Sequence, residues 1–388
     1  MNILSIDKDG TLAMDSPEVM GDSQVEARLW GQHVSKLEII TFSFSHQRLK
    51  ARKISNNVHV YPTSSHAIFI MPFDAYKIGK RICRQQTIDL ITAKDPFFAG
   101  LCGLWLKKEF RIPLNIRLHG NALDNQLWLN ENPIHIVFNA LGHYVVNQAD
   151  SILSVHPDIT KNIRKVSKKE KPLMFTLKND VGIDIDRFSH IKLNHIRPDI
   201  LPDNKNFLIL YAGRLEKEKN IKNLLVAMKS VIQQKPGAFL VILGDGSERT
   251  KLLKLCHHLH INKNVRFYGA VPYSQMPDFI NASDVVVLPS NHEGGGRIIV
   301  EALLMERPVV ATHVGLAGDI LKNSINGFLL QSNRAEDIAN GLMKAIDQHW
   351  LNDFDDDYVQ SLHEKFNRTA IIGEIIAAWE KTVNNQLS

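Results

Sequence analysis

Short β-branched and aliphatic runs alternate with longer stretches of helical periodicity along almost the whole chain. That alternation restricts the fold to βα units built on parallel sheets, the doubly wound α/β class. In the first half, strands are predicted at 2–6, 37–42, 58–61, 67–70, 89–92, 115–118 and 151–155. Helices are predicted between them at 23–34, 74–86, 97–110 and 134–148. A polar segment at 191–206, with Pro198 and Pro202, reads as a linker. The alternation then restarts with strands at 207–212, 239–243, 265–268, 284–288, 308–311 and 327–330. Its helices are expected at 221–234, 248–260, 296–306 and 335–347, and a last one at 368–383. The expected organisation is two Rossmann-like domains, 1–190 and 207–365, with a closing helix in 366–388. Two such domains imply a cleft between them, where ligands bind in this architecture.

Composition narrows the class further. Over 388 residues, 44% hydrophobic and 22% charged content exclude disordered, collagen-like and coiled-coil chains. No apolar run approaches the 18 or so residues that span a bilayer. The start, Met1 to Asp7, has neither a basic flank nor a long apolar segment, so it reads as a strand and not a signal peptide. Cys83, Cys102 and Cys256 are odd in number and far apart, which fits a reducing cytosol and no disulfide framework. The net charge of +5 lies wholly in the first 190 residues, with 24 Lys+Arg against 19 Asp+Glu; the remainder holds 22 of each. Two basic clusters contribute: Arg48, Lys50, Arg52 and Lys53, then Lys161, Arg164, Lys165, Lys168, Lys169 and Lys171. Such clusters suit a solvated face or an anionic membrane surface. Motifs with interleaved aromatics for nucleic acid are absent, so no nucleic-acid partner is expected.

Three segments carry chemistry. In Pro289-Ser-Asn-His-Glu-Gly-Gly-Gly-Arg-Ile-Ile-Val-Glu-Ala302 a buried strand ends, three glycines follow and an apolar-periodic helix begins. Gly294, Gly295 and Gly296 let backbone approach a ligand, and the new helix offers free N–H groups to an anion such as phosphate. Glu293 and Glu301 bracket the loop and suit sugar hydroxyls. Taken alone, the segment also fits a glycine-rich turn with a Glu on the helix dipole. The second segment, Tyr211 to Asn220, places Arg214 and Lys219 after Gly213, a fork and a point charge suited to a diphosphate; a solvated charged loop is the other reading. The third, Leu243-Gly-Asp-Gly-Ser247, is a turn motif without the GxGxxG spacing, and no Walker A sequence occurs. His257, His258 and His260 read as helix-end residues, and the Asp353–Asp357 run as a solvated helix start rather than a metal motif.

These segments, with Val265-Arg-Phe-Tyr-Gly269, Ser283 to Ser290, Arg307-Pro-Val-Val-Ala311 and Gly315, resemble the donor domain of GT-B glycosyltransferases of family 4. The N-terminal half is similar more loosely, through Asp95 to Gly100, Pro113 to Gly120 and Val181 to Phe188. The resemblance implies a retaining transferase that moves a sugar from a nucleotide-diphosphate donor to a glycan or lipid-linked glycan. It implies no cofactor and no metal, and a role in cell-surface polysaccharide or lipopolysaccharide synthesis. Arg214 and Lys219 would hold the diphosphate, Glu293 the donor sugar and Glu301 the ribose. Gly213, Gly244, Asp245 and the Gly294–Gly296 backbone would line the donor site, and Ala270 and Val271 would flank the base. His119 would face the transferred sugar, and the last helix would cross back onto the first domain.

The chain also departs from that pattern. The 7–22 loop has only Gly10 and Gly21 where adjacent glycines are common, Gly295 replaces a phenylalanine, and Asp319 stands where Glu is more frequent. Arg297 replaces an apolar residue and offers a further phosphate contact. A nucleotide-sugar epimerase of the same fold and a non-catalytic glycan or membrane adaptor are the rivals. The expected location is cytoplasmic and peripheral on the inner membrane face, through the basic first domain.

Overall fold

A computed structural model describes residues 1–14, 23–120, 122–155, 157–166, 172–177, 182–188, 196–293, 295–348, 354 and 356–387. The chain divides into two compact units. One comprises Met1–Pro17, Gly21–Asp180 and Thr369–Ser388, and the other is essentially Val181–Arg368. The division falls at Val181, ahead of the segment expected as linker. Of that segment, 191–195 lies outside the described residues, and Arg197–Ile200 is a short helix anchored to the second unit by Arg197, which donates to Asp284 at 2.8 Å.

The first unit holds an eight-stranded sheet. Its strands are β1 (Asn2–Asp7), β2 (Lys36–Thr41), β3 (Arg52–Ser55), β4 (Val58–Pro62), β5 (Leu90–Ala93), β6 (Leu114–Leu118), β7 (Ser151–Ser154) and β8 (Leu173–Thr176), in the order β3-β4-β2-β1-β5-β6-β7-β8. All pair in parallel except β3, which runs antiparallel to β4. The central strands are apolar on both faces because helices cover both. Leu4 and Ile6 join one core, and Ile3 joins the other. That second core is closed by the C-terminal helix Arg368–Leu387, whose Ile371, Ile372, Ile375 and Trp379 are buried on it. Trp379 stacks on Trp30 with centroids 4.9 Å apart and donates its Nε1–H to Asn115 Oδ1 at 3.2 Å.

One first-unit expectation needs correction. Residues 67–70, expected as a strand, form a 3-10 turn at Ile68–Ile70 that leads into the helix Met71–Gln85. Pro72 at the head of that helix suits its fixed φ, and among the described residues no strand pairs with the run. The Arg48–Lys53 cluster starts in an exposed loop. It runs into β3, where cations blunt an exposed sheet edge.

The second unit holds six parallel strands: β9 (Phe207–Ala212), β10 (Ala238–Leu243), β11 (Val265–Gly269), β12 (Val285–Leu288), β13 (Val309–Thr312) and β14 (Gly327–Leu330). Their order is β11-β10-β9-β12-β13-β14. Along β9 the side chains alternate between two cores, with Leu208 and Leu210 on one face and Ile209 and Tyr211 on the other. The connections run outward in opposite directions from β9 and β12. Loops leaving the carboxyl ends of these two strands therefore diverge and leave a crevice, the topological switch point of a doubly wound sheet.

Candidate active site

The two charged loops singled out in the sequence are the loops that leave β9 and β12. Gly213 follows β9, and its N–H donates to the Leu243 carbonyl at 3.1 Å. Next door, Gly244 has φ of 125°, and a Cβ there would fall 2.0 Å from the Gly213 oxygen. Only glycine lets these two backbones approach so closely. The β9 loop ends at Asn220, whose side-chain amide donates to Pro289 O at 3.0 Å and Asn333 O at 2.8 Å. The Asn291 N–H donates to Glu218 O at 2.8 Å. Backbone and amide bonds thus tie the β9 loop to the β12 loop.

That tie sets Lys219 against Glu293. Lys219 Nζ donates to Glu293 Oε1 at 2.7 Å, and both side chains are largely buried, at 13% and 12% exposure. Ser290 Oγ donates to the same carboxylate oxygen at 2.8 Å, and Thr312 fixes Ser290 by donating to its carbonyl at 2.7 Å. Arg214 is mostly exposed and pairs with Glu218 at 3.1 Å. Beneath the loop, Tyr211 is pushed above its ordinary pKa by burial and then by Glu293 and Glu218. It stays a neutral phenol and donates to the Arg214 carbonyl at 3.0 Å.

The helix Arg297–Leu304 begins directly after the β12 loop, with Gly296 as its cap at φ 77°. Its first N–H groups have no partner within the helix, and its positive dipole end lies in the loop that carries Glu293. Gly295 O accepts from the Leu316 N–H at 2.9 Å, while Gly294 lies outside the described residues. One turn into the helix, Glu301 is 3% exposed, and its Oε1 accepts from Tyr273 Oη at 2.5 Å and Arg297 Nε at 2.7 Å. The Arg297 guanidinium also lies 4.4 Å from the Tyr273 ring centroid. Burial, then Glu301, pushes Tyr273 well above the usual phenol range, which keeps it a hydrogen-bond donor. Arg297, expected as a phosphate contact, is directed at Glu301.

Asp245 turns inward on its own loop: its Oδ1 accepts from the Gly246 N–H at 2.8 Å, and its O from the Leu215 N–H at 2.9 Å. Ala270 and Val271 follow β11, two strands from β9. His119 belongs to the first unit, directly after β6, and lies within electrostatic reach of Asp7. Ser290, Glu218 and Tyr273 were not picked out from sequence. Glu218 had a signal, four residues after Arg214; Tyr273 had none, since its carboxylate partner is 28 residues away. Among the described residues no group of three or more His, Cys, Asp or Glu could hold a metal ion.

Comparison with known proteins bears on this arrangement. The family described as glycosyl transferases group 1 matches residues 194–361, the segment that contains both loops and the helix. Residues 194–361 are thus similar to group 1 glycosyltransferases. The chain is 26% identical over 282 residues to an uncharacterized glycosyltransferase of Methanocaldococcus jannaschii, covering 72% of this chain and 71% of that one. Its fold is similar to sucrose-phosphate synthase from Thermosynechococcus elongatus, with a TM-score of 0.81 and 17% identity over 98% of this chain and 99% of the other. It is also similar to Anabaena HepE in complex with UDP and glucose, with a TM-score of 0.76 and 20% identity over 98% and 100%. The chain thus has the GT-B fold, with two α/β units built on parallel sheets.

Proposed function

We propose that this enzyme is a retaining, family 4 type transferase that moves a sugar from a nucleotide-diphosphate sugar to a hydroxyl of a glycan or lipid-linked glycan. Its setting is cell-surface polysaccharide or lipopolysaccharide synthesis, on the cytoplasmic side and peripheral to the membrane. The observation that carries this reading is the Lys219–Glu293 pair, held at the switch point beside a helix N-terminus. The site combines a sheltered cation, a carboxylate and open backbone donors. A diphosphate that bears a hydroxylated sugar needs these three. The HepE likeness supports a uridine nucleotide as the first donor to test.

In the proposed step, the acceptor oxygen bonds to the anomeric carbon on the face from which the phosphate oxygen departs. The leaving phosphate oxygen takes the acceptor proton, so atoms balance without a protein base or a metal. Lys219 and Arg214 exchange their carboxylate partners for the diphosphate and stabilise the charge that grows on it. Glu293, released from Lys219, accepts from sugar hydroxyls, and Glu301 from the ribose. Gly213, Gly244, Asp245 and residues 294–296 border the donor, Ala270 and Val271 flank the base, and His119 orients the acceptor side.

Product analysis tests the reading. With UDP-, GDP- and ADP-sugars, release of nucleoside diphosphate that depends on an acceptor supports transfer, and conversion of the donor sugar without acceptor supports the epimerase. Lys219→Ala or Glu293→Ala should each slow transfer about 30- to 1,000-fold, or about 2–4 kcal/mol in the barrier. Unchanged transfer in both variants contradicts the site assignment.

A further inference from the structure

Arg297 opens the helix Arg297–Leu304, where the positive end of the dipole disfavours a cation. Its contacts offset that cost. Arg297 Nε donates to Glu301 Oε1 at 2.7 Å, one turn along the same helix, and a second guanidinium N–H donates to Tyr273 Oη. Tyr273 Oη in turn donates to the same Glu301 oxygen at 2.5 Å. The three side chains close a ring of hydrogen bonds on one carboxylate oxygen, and bonds to an ionised acceptor are the strong kind. With Oε1 taken twice, Oε2 is the oxygen that Glu301 has left for a ligand.

Tyr273 is itself held. The Arg297 and Arg187 guanidinium groups lie 4.4 and 5.1 Å from its ring centroid, and the Phe188 ring lies 5.7 Å away. Phe188 is fully buried, and Arg187 is tied to Asp184 at 3.4 Å. Two cations drawn to one ring, with a buried phenylalanine against it, fix the plane of the phenol. All of these residues belong to the second unit. The turn Tyr273–Gln275 begins two residues after Val271, so the hydroxyl that holds Glu301 comes from the segment proposed to flank the base. A loose glutamate turns about its last torsion and offers either oxygen. Pinned at Oε1 and 3% exposed, Glu301 offers Oε2 in one direction, where water competes little. A buried acceptor built for a hydroxyl rejects the analogue that lacks it.

We propose that Tyr273 and Arg297 are positioning residues that aim Glu301 at the ribose, so that the site selects a ribonucleoside diphosphate over its 2′-deoxy form. This rests on the ribose role proposed above for Glu301 and adds how that carboxylate is aimed. The test is calorimetric titration of the full chain with UDP, GDP and ADP, and with the 2′-deoxy form of each one that binds. The wild type should prefer the ribose form by about tenfold or more. Glu301→Ala, Tyr273→Phe and Arg297→Leu should each cut that preference to about threefold or less, while affinity for the 2′-deoxy form changes by less than about threefold. Loss of packing alone would weaken both forms alike, so the ratio separates aiming from folding. If Tyr273→Phe and Arg297→Leu keep the wild-type preference, or weaken both forms alike, the proposal is overturned while the ribose role of Glu301 stands. If Glu301→Ala keeps the preference, or the wild type shows none or binds no nucleotide, the ribose role itself fails and the proposal fails with it.

Discussion

Asp7 and Lys94 show what a single pair does at the carboxyl edge of the first sheet. Burial pushes the Asp7 carboxyl up, but Lys94 at 2.5 Å, the Asp9 N–H and His119 outweigh it and hold Asp7 below its ordinary value. Burial pulls Lys94 down, and Asp7 then Glu26 overcome it, leaving Lys94 above its ordinary value. The signs define a window. Asp7's share of stability is intact above about pH 4 and drains as pH falls through its lowered pKa. The share from Lys94 is intact below about pH 10 and drains as pH rises through its raised one. Lys94→Met leaves a buried carboxylate without its partner. We expect a loss of about 3–5 kcal/mol at neutral pH by urea unfolding, and a smaller loss below pH 4. A loss that does not change with pH would contradict the pairing. The residues proposed for the donor site were legible one at a time, because a cation in a strand-to-helix loop and a Glu beside glycines each imply chemistry. Their pairing was not, because Lys219 and Glu293 are 74 residues apart and only the strand order joins them.

At the scale of elements, the strands buried on both faces were readable as apolar runs, and β9, β12 and β13 fall within a residue or two of their expected ends. The edge strands of the first sheet were not. The Arg52–Ser55 sequence is half charged because solvent meets that edge, and Leu173–Thr176 is four residues long, too short for a periodic signal. The exposed Ile68–Ile70 turn misled in the opposite direction: its apolar content serves a surface, so apolarity alone predicted a strand. The C-terminal helix was expected from its Ile371, Ile375, Ile376 and Trp379 spacing, and its docking on the first unit is specified by the Trp30 stack and the Asn115 bond. Trp379→Ala should destabilise the protein by about 3–5 kcal/mol through the cavity it opens. Thermal and urea unfolding measure this directly, and a loss below about 1 kcal/mol would mean that the helix is not part of the core.

For the whole molecule, two doubly wound sheets do different work. The second is electrically balanced and concentrates its chemistry at one switch point, between β9 and β12. The first carries the whole net charge, a closing helix on one face and an aromatic surface at its carboxyl edge. The central claim is that the β9–β12 switch point holds the donor diphosphate through Lys219. Nucleotide titration followed by thermal unfolding tests it most directly, using UDP, GDP and ADP on the wild type and on Lys219→Ala. One of the three should stabilise the wild type by about 2.7 kcal/mol at roughly 100 times its Kd. Lys219→Ala should need at least ten times more of that nucleotide for the same shift. No shift with any of them, or an undiminished shift in Lys219→Ala, would contradict the account.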